Sequence, residues 1–301
     1  MVLATNTAKM GRTTAMELGV GLNFTDYSMP PAALAQALEA RGFESVWATE
    51  HSHIPTSRKT PFPPGGELPK DYAECMDPFV VLSVAGAVTQ RLKLGTGVCL
   101  VTQRDPIQLA KLVASIDQVS TGRFLFGVGN GWNAEEMADH GTVDFKGRHK
   151  LARERIEAMK AIWTAEKASY NGDLVKLPEM WAWPKPTQKP HPPIIVGGAF
   201  PFAARRAIAY GDGWIPHAAR QQYGDVTDFL PEFHKMAREA GRDPASLPVT
   251  VWAPVTVAAD RLRHLRDRGV ARVVLHLHPD GADKVLPLLD RFAPLISDLK
   301  G

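Results

Sequence analysis

Two hydrophobic periods alternate along this chain. Short solid apolar runs are separated by stretches in which apolar positions recur three and four residues apart, the pattern of buried strands alternating with amphipathic helices. The clearest unit runs from Leu92 to Asn133. Apolar runs at Leu92–Leu100 and Arg123–Val128 flank an amphipathic helix at Pro106–Val119, and glycines close both runs. The same pattern predicts strands at Glu17–Phe24, Ser45–Thr49, Pro193–Val196, Gly213–Ile215, Pro248–Thr256 and Ala271–Leu275. It predicts helices at Pro30–Arg41, from Asp77 through Thr89, and at Gly147–Trp163, Pro201–Tyr210, Asp225–Ala240, Ala259–Arg268 and Asp283–Ile296. Proline in the first turn and Gly42 after the last mark the limits of the first helix, and Asp77 is placed to cap the second. Eight strands, each followed by a helix, predict an α/β fold, a (β/α)8 TIM barrel occupying residues 16–301 as one domain; an open doubly wound sheet is the rival architecture. Residues 1–15 are polar and read as a disordered extension. Two insertions interrupt the rhythm, 52–76 after the second strand and 165–192 before the fifth, and both read as loops over the mouth.

Composition narrows the class. At 301 residues, with 45% apolar and 22% charged positions, the chain supports one large core and is not disordered. Thirty-five basic residues against 32 acidic ones leave a net charge of +3, too near balance to imply nucleic acid. No apolar run is long enough for a membrane span, and the N-terminus lacks the apolar middle of a secretory signal. Cys75 and Cys99 cannot form a disulfide framework or a cysteine-based zinc site and suit a reducing cytoplasm.

Candidate chemistry clusters at the strand ends, the face on which such barrels bind ligands. Gly95-Thr-Gly97, Gly127-Val-Gly129-Asn130-Gly131 and Gly197-Gly198 each follow a strand. The middle set lacks the third spacing of a dinucleotide fingerprint. Its glycines read instead as positions where backbone approaches a flat ring. Gly197-Gly198-Ala199 opens into a helix that carries Arg205 and Arg206, an arrangement suited to a phosphate. His51 ends the second strand and is a candidate for proton transfer. His51-Ser-His53 and His276-Leu-His278 raise a zinc-hydrolase alternative, but no further ligand and carboxylate base can be assembled for it. Trp132 reads as a pocket wall and Asn133 as an amide for a heterocycle. Glu135, Glu136 and Asp139 read as the solvated first turn of a helix.

Several motifs together carry a family resemblance. ATEH at 48–51, DPF at 77–79, RLKLGTGV at 91–98, STGRFLFGVGNGWNAEE at 120–136, and PPIIVGG with ARRAIAYGDGW at 192–214 resemble the luciferase-like monooxygenase superfamily, in its branch that uses the deazaflavin coenzyme F420. The resemblance runs from about Met16 to Ile296. It implies a barrel of the bacterial luciferase-like type, a homodimer, and a flavin or deazaflavin at the C-terminal strand ends. It implies a non-prolyl cis bond at Gly97-Val98 backing the ring, with Thr96 beside it. Ring contacts are implied for His51, Gly129, Asn130 and Asn133, and a backbone phosphate clamp for Gly197, Gly198 and Ala199. Sugar-phosphate dehydrogenases of this branch carry an acid after the fourth-strand glycines. Trp132 or Asn133 stands there in this chain, so that substrate is not carried over.

The resulting expectation is a cytoplasmic F420-dependent oxidoreductase. It would transfer hydride between the deazaflavin C5 and a small organic substrate, with His51 handling the proton and no metal, nucleic acid or membrane involved. An FMN-dependent monooxygenase and a non-catalytic flavin-binding protein are the alternatives. Arg104, Lys146, Arg148 and Lys150 are candidates for a basic path along the longer F420 tail.

Overall fold

The computed structural model describes residues 15–218 and 224–301. The expected extension over residues 1–15 therefore lies outside the described residues but for Ala15. Eight parallel strands form the barrel: β1 (Glu17–Leu22), β2 (Ser45–Ala48), β3 (Lys93–Thr96), β5 (Phe124–Gly129), β8 (Ile194–Gly197), β9 (Gly213–Ile215), β10 (Thr250–Pro254) and β11 (Arg272–His276), with β4 (Cys99–Leu100) a short extra strand on β5. They pair in the order β10-β11-β1-β2-β3-β5-β8-β9. Parallel bridges from Trp214 to Val249 and from His217 to Trp252 link the two ends, so the sheet is a nearly closed (β/α)8 barrel.

The outer layer holds α1 (Pro31–Ala40), α3 (Pro78–Ala87), α4 (Pro106–Val119), α6 (Arg148–Thr164), α7 (Phe202–Tyr210), α8 (Leu230–Glu239), α9 (Ala259–Asp267) and α10 (Ala282–Phe292), followed by α11 (Leu295–Lys300). Asp77 and Asp105 cap α3 and α4, each accepting two backbone N–H bonds ahead of a first-turn proline. The strands are buried on both faces, which is why they read as solid apolar runs rather than alternating ones.

Shorter elements had too few residues to show a period. They are α2 (Asp71–Glu74) in the first insertion, α5 (Ala134–Asp139), and the antiparallel pair β6 (Ala168–Asn171) and β7 (Lys176–Met180) in the second. The second insertion is therefore not the wholly irregular loop that was expected. Residues 172–175 make the turn, closed by the Gly172 N–H donating to Val175 O at 2.8 Å, and the buried carboxylate of Glu154 accepts the N–H groups of Leu174 and Val175, docking the hairpin onto α6.

The interior of the barrel holds Trp47, Leu125, Ile195, Ile215, Trp252 and Val274. Glycines in β1 and at the end of β3 make room for the two tryptophans. A Cβ on Gly21 would lie 2.3 Å from the Trp252 ring, one on Gly97 2.6 Å from it, and one on Gly95 2.4 Å from the Trp47 ring. At these positions the flat rings that the backbone admits are the protein's own tryptophans.

Candidate active site

The mouth of the barrel is shaped by the segment after β3. The Gly97–Val98 peptide is cis, and Val98 packs against the interior cluster. Its side chain reaches across to the ends of β5 and β8. A Cβ on Gly129 would fall 2.5 Å from Val98 Cγ2, and one on Gly197 3.1 Å from Val98 Cγ1. Glycine at both strand ends thus leaves room for one valine side chain between them. Below it, Glu50 accepts the Leu100 N–H at 2.6 Å and the Arg104 Nε–H at 2.6 Å, and Arg104 also pairs with Asp77. Arg104 is thereby held within the fold and does not line a path for an anionic tail.

His51 lies just past β2 with only 7% of its side chain exposed. Its Nδ1 is 2.9 Å from Glu136 Oε2, and its Nε2 accepts the indole N–H of Trp132 at 3.2 Å. Glu136 is 0% exposed, and its Oε1 accepts the Ser52 N–H at 3.1 Å. Glu136 was expected to be solvated, and the structure reverses this. Asn133 caps the six-residue α5 by accepting the Glu136 N–H at 3.1 Å, and the helix turns Glu136 and Met137 inward. Its neighbours point elsewhere: Glu135 accepts the Thr60 N–H at 2.9 Å, and the exposed Asp139 meets His53 at 3.0 Å. The first insertion closes over this group. The Tyr72 ring is 5.3 Å from His51, and Phe62 lies 5.2 Å from Tyr72 and 5.9 Å from Trp132. Phe62 also lines a cavity of about 610 Å³ within that insertion, shared with Arg58 and Lys70.

A second cluster occupies the ends of β5 and β8. Asn130 Nδ2 is 2.5 Å from His149 Nδ1. A Cβ on Gly198, whose φ is +126°, would lie 3.6 Å from Arg206 Nη2. Arg148 and Arg206 each bury an Nε with no hydrogen-bond partner, as does the Tyr210 hydroxyl nearby. Neither arginine forms an ion pair with any carboxylate among the described residues. Burial, then the charges of Arg206 and Arg148, push the His149 imidazole down to about 4. Both guanidinium groups are half-buried and Arg148 Nη1 donates to Phe145 O at 2.8 Å, but a buried Nε–H on each is left without an acceptor, which an anion would supply. The residues present therefore fit the phosphate of a flavin or deazaflavin.

The expected site residues divide accordingly. His51, Val98, Gly129, Asn130, Gly197, Gly198 and Ala199 gather at the mouth. Thr96 does not face it: the residue is fully buried and its hydroxyl donates to Gly127 O at 2.7 Å. Asn133, at 2% exposure, caps a helix and offers no surface to a ring. The clamp is also partly occupied, since the Gly198 N–H donates to Ile215 O at 3.3 Å. His149 was missed, although its place beside Arg148 at the start of α6 was a usable signal. Lys150 pairs with Asp173 at the surface. Among the described residues no group of three or more His, Cys, Asp or Glu is placed to hold a metal ion.

Fold and site together are those of a barrel oxidoreductase. The chain belongs to the luciferase-like monooxygenase family, whose model matches residues 30–286. It is 39% identical over 286 residues to an uncharacterised protein of Mycobacterium tuberculosis, covering 92% of this chain and 98% of that one. It is 32% identical over 219 residues to the F420-dependent hydroxymycolic acid dehydrogenase of Mycobacterium tuberculosis, covering 71% of this chain and 55% of the relative. The crystal structure of a monooxygenase from Streptomyces bottropensis superposes with a TM-score of 0.77 at 19% identity, covering 93% of this chain and 98% of that one. No helix among the described residues is long and apolar enough to cross a membrane.

Proposed function

We propose that the protein is an F420-dependent oxidoreductase acting on a small organic molecule. The observation that carries this reading is the acid-free corner formed by Arg148, His149 and Arg206, placed beside the Val98 shelf on the same mouth as His51. Bound there, the deazaflavin would supply the hydride acceptor or donor. Val98, with Gly129 and Gly197, would support its ring, and Asn130 and Gly198 would lie between ring and phosphate. The F420-dependent relative at 32% identity supports the choice of cofactor. In this reading the protein is a cytoplasmic homodimer, and His51 exchanges the proton that accompanies hydride transfer.

The test is anaerobic titration of the purified protein with F420 and with FMN, followed by tryptophan quenching. Tight F420 binding with weak FMN binding is expected. Tight FMN binding with none for F420 removes the proposal. FMN-dependent monooxygenation is the second reading, because the same corner suits a terminal phosphate. Oxygen uptake with reduced FMN would favour it.

A further inference from the structure

The two hydrogen bonds on the His51 ring fix where its proton lies. An indole nitrogen is a donor only, so the nitrogen that receives it must carry the lone pair. That nitrogen is Nε2, at 3.2 Å from Trp132 Nε1. The ring proton therefore sits on Nδ1, where Glu136 Oε2 accepts it at 2.9 Å. Both oxygens of Glu136 are then used, since Oε1 holds the Ser52 N–H. The carboxylate is completely buried and tied to β2's end at two points, while the Asn133 cap fixes its backbone. This is a rigid second group that sets one tautomer of the imidazole.

The lone pair so prepared is not open. His51 is nearly buried, and Trp132 sits on its only acceptor, backed by Phe62 from the insertion. The indole N–H occupies the position that a donor group on a substrate would need. Phe62 separates this point from the cavity bounded by Arg58 and Lys70, so a molecule entering there meets the aromatic wall before the imidazole.

We propose that Glu136 is the positioning residue that holds His51 as a base through Nε2, and that Trp132 is an aromatic gate which a hydroxyl-bearing substrate displaces to reach it. This rests on the oxidoreductase reading for its substrate. The proton step is balanced within the chain. The substrate O–H bond breaks, an Nε2–H bond forms, and the resulting imidazolium keeps its Nδ1–H on the Glu136 carboxylate; the bound deazaflavin would supply the hydride acceptor. The substrate class is an alcohol, or the matching carbonyl in reverse, which meets the Phe62 ring at the inner side of a cavity whose rim carries Arg58, Glu67 and Lys70.

Ring-nitrogen NMR of histidine-labelled protein without cofactor is the first test, with His51→Gln to assign the signals. Wild-type His51 should show a protonated Nδ1 and a bare Nε2. Glu136→Gln should lose the single tautomer and give a mixture, because its amide oxygen stays on the Ser52 N–H and its NH2 then faces Nδ1 while Trp132 still donates to Nε2. Trp132→Phe should keep the wild-type tautomer and make His51 react several-fold faster with diethyl pyrocarbonate. In the F420-loaded enzyme with a panel of alcohols, Glu136→Gln should lower kcat by about 10²–10⁴-fold with cofactor Kd unchanged. A wild-type proton on Nε2, an unchanged tautomer in Glu136→Gln, or unaltered His51 reactivity in Trp132→Phe would each overturn the inference. Failure of the protein to bind F420 overturns the proposed function instead, and leaves the NMR and modification results to decide the tautomer and the gate.

Discussion

His149 is the residue at which charge and ligand meet. Burial and the two arginine charges hold its imidazole at about 4, against an ordinary value of 6.5. Between these pH values the unfolded chain binds a proton that the folded chain refuses. This contribution to stability is therefore intact above pH 6.5 and is lost as pH falls toward 4. A bound phosphodiester reverses the balance, because its negative charge beside Arg148 and Arg206 favours the protonated ring. Cofactor binding should thus take up a proton, and Kd should tighten several-fold from pH 7.5 to pH 5.5. Calorimetry in two buffers of different ionisation enthalpy measures that uptake. His149→Gln should bind with a flatter pH dependence, and an equal slope in both proteins would exclude the linkage. Legibility at this scale depended on whether a side chain ends a strand. His51 and Gly197 could be placed from the strand pattern alone. Glu136 could not, because Glu135 and Glu136 are the same residue type side by side, and only the turn of a short capped helix sends one inward and the other toward Thr60.

At the scale of elements, the glycines of β1 and β3 and the tryptophans of β2 and β10 are one packing device. The strand-end glycines were visible in the sequence, but what fills the space above them depends on which strands face each other across the barrel. No local pattern records that. The consequence is testable in Gly21→Ala, whose new Cβ would meet Trp252 Cη2 at 2.3 Å. Ring or strand must shift to relieve this contact, so the substitution should cost about 1–3 kcal/mol of stability. Trp252→Phe alone should also destabilise, by opening space. The double variant should lose less than the sum of the two, since each change relieves the other. Urea unfolding of the four proteins reads the coupling directly, and strict additivity would mean that the two residues do not share the space. The short elements escaped for a simpler reason. β4, α2 and α5 span too few residues for a period to be counted, whereas α4, with fourteen residues, was found at its true limits.

For the whole molecule, the order of the strands followed from their order in the chain, because short βα units place successive parallel strands side by side. How the barrel meets other copies of itself is written less plainly. The helix α3 reads PFVVLSVAGA, apolar on every face, and such a helix is normally covered all round. Its inner face packs on the barrel, yet Val80 is 63% and Val84 41% exposed one turn apart. Ile107, Leu112 and Val119 are also exposed on the neighbouring α4. The lysine among them, Lys111, donates to Trp183 O, which turns its ammonium toward the second insertion, and a twofold interface would set the same apolar patch of each copy against the other. The expected homodimer would bury this face. Sedimentation equilibrium of the wild-type protein should then give twice the chain mass, and Val80→Lys with Val84→Lys should give a folded monomer. Both positions point away from the barrel, so the monomer should keep its F420 affinity if the mouth is built from one chain alone. A monomeric wild type would instead leave α3 exposed in solution and remove the dimer from the proposal.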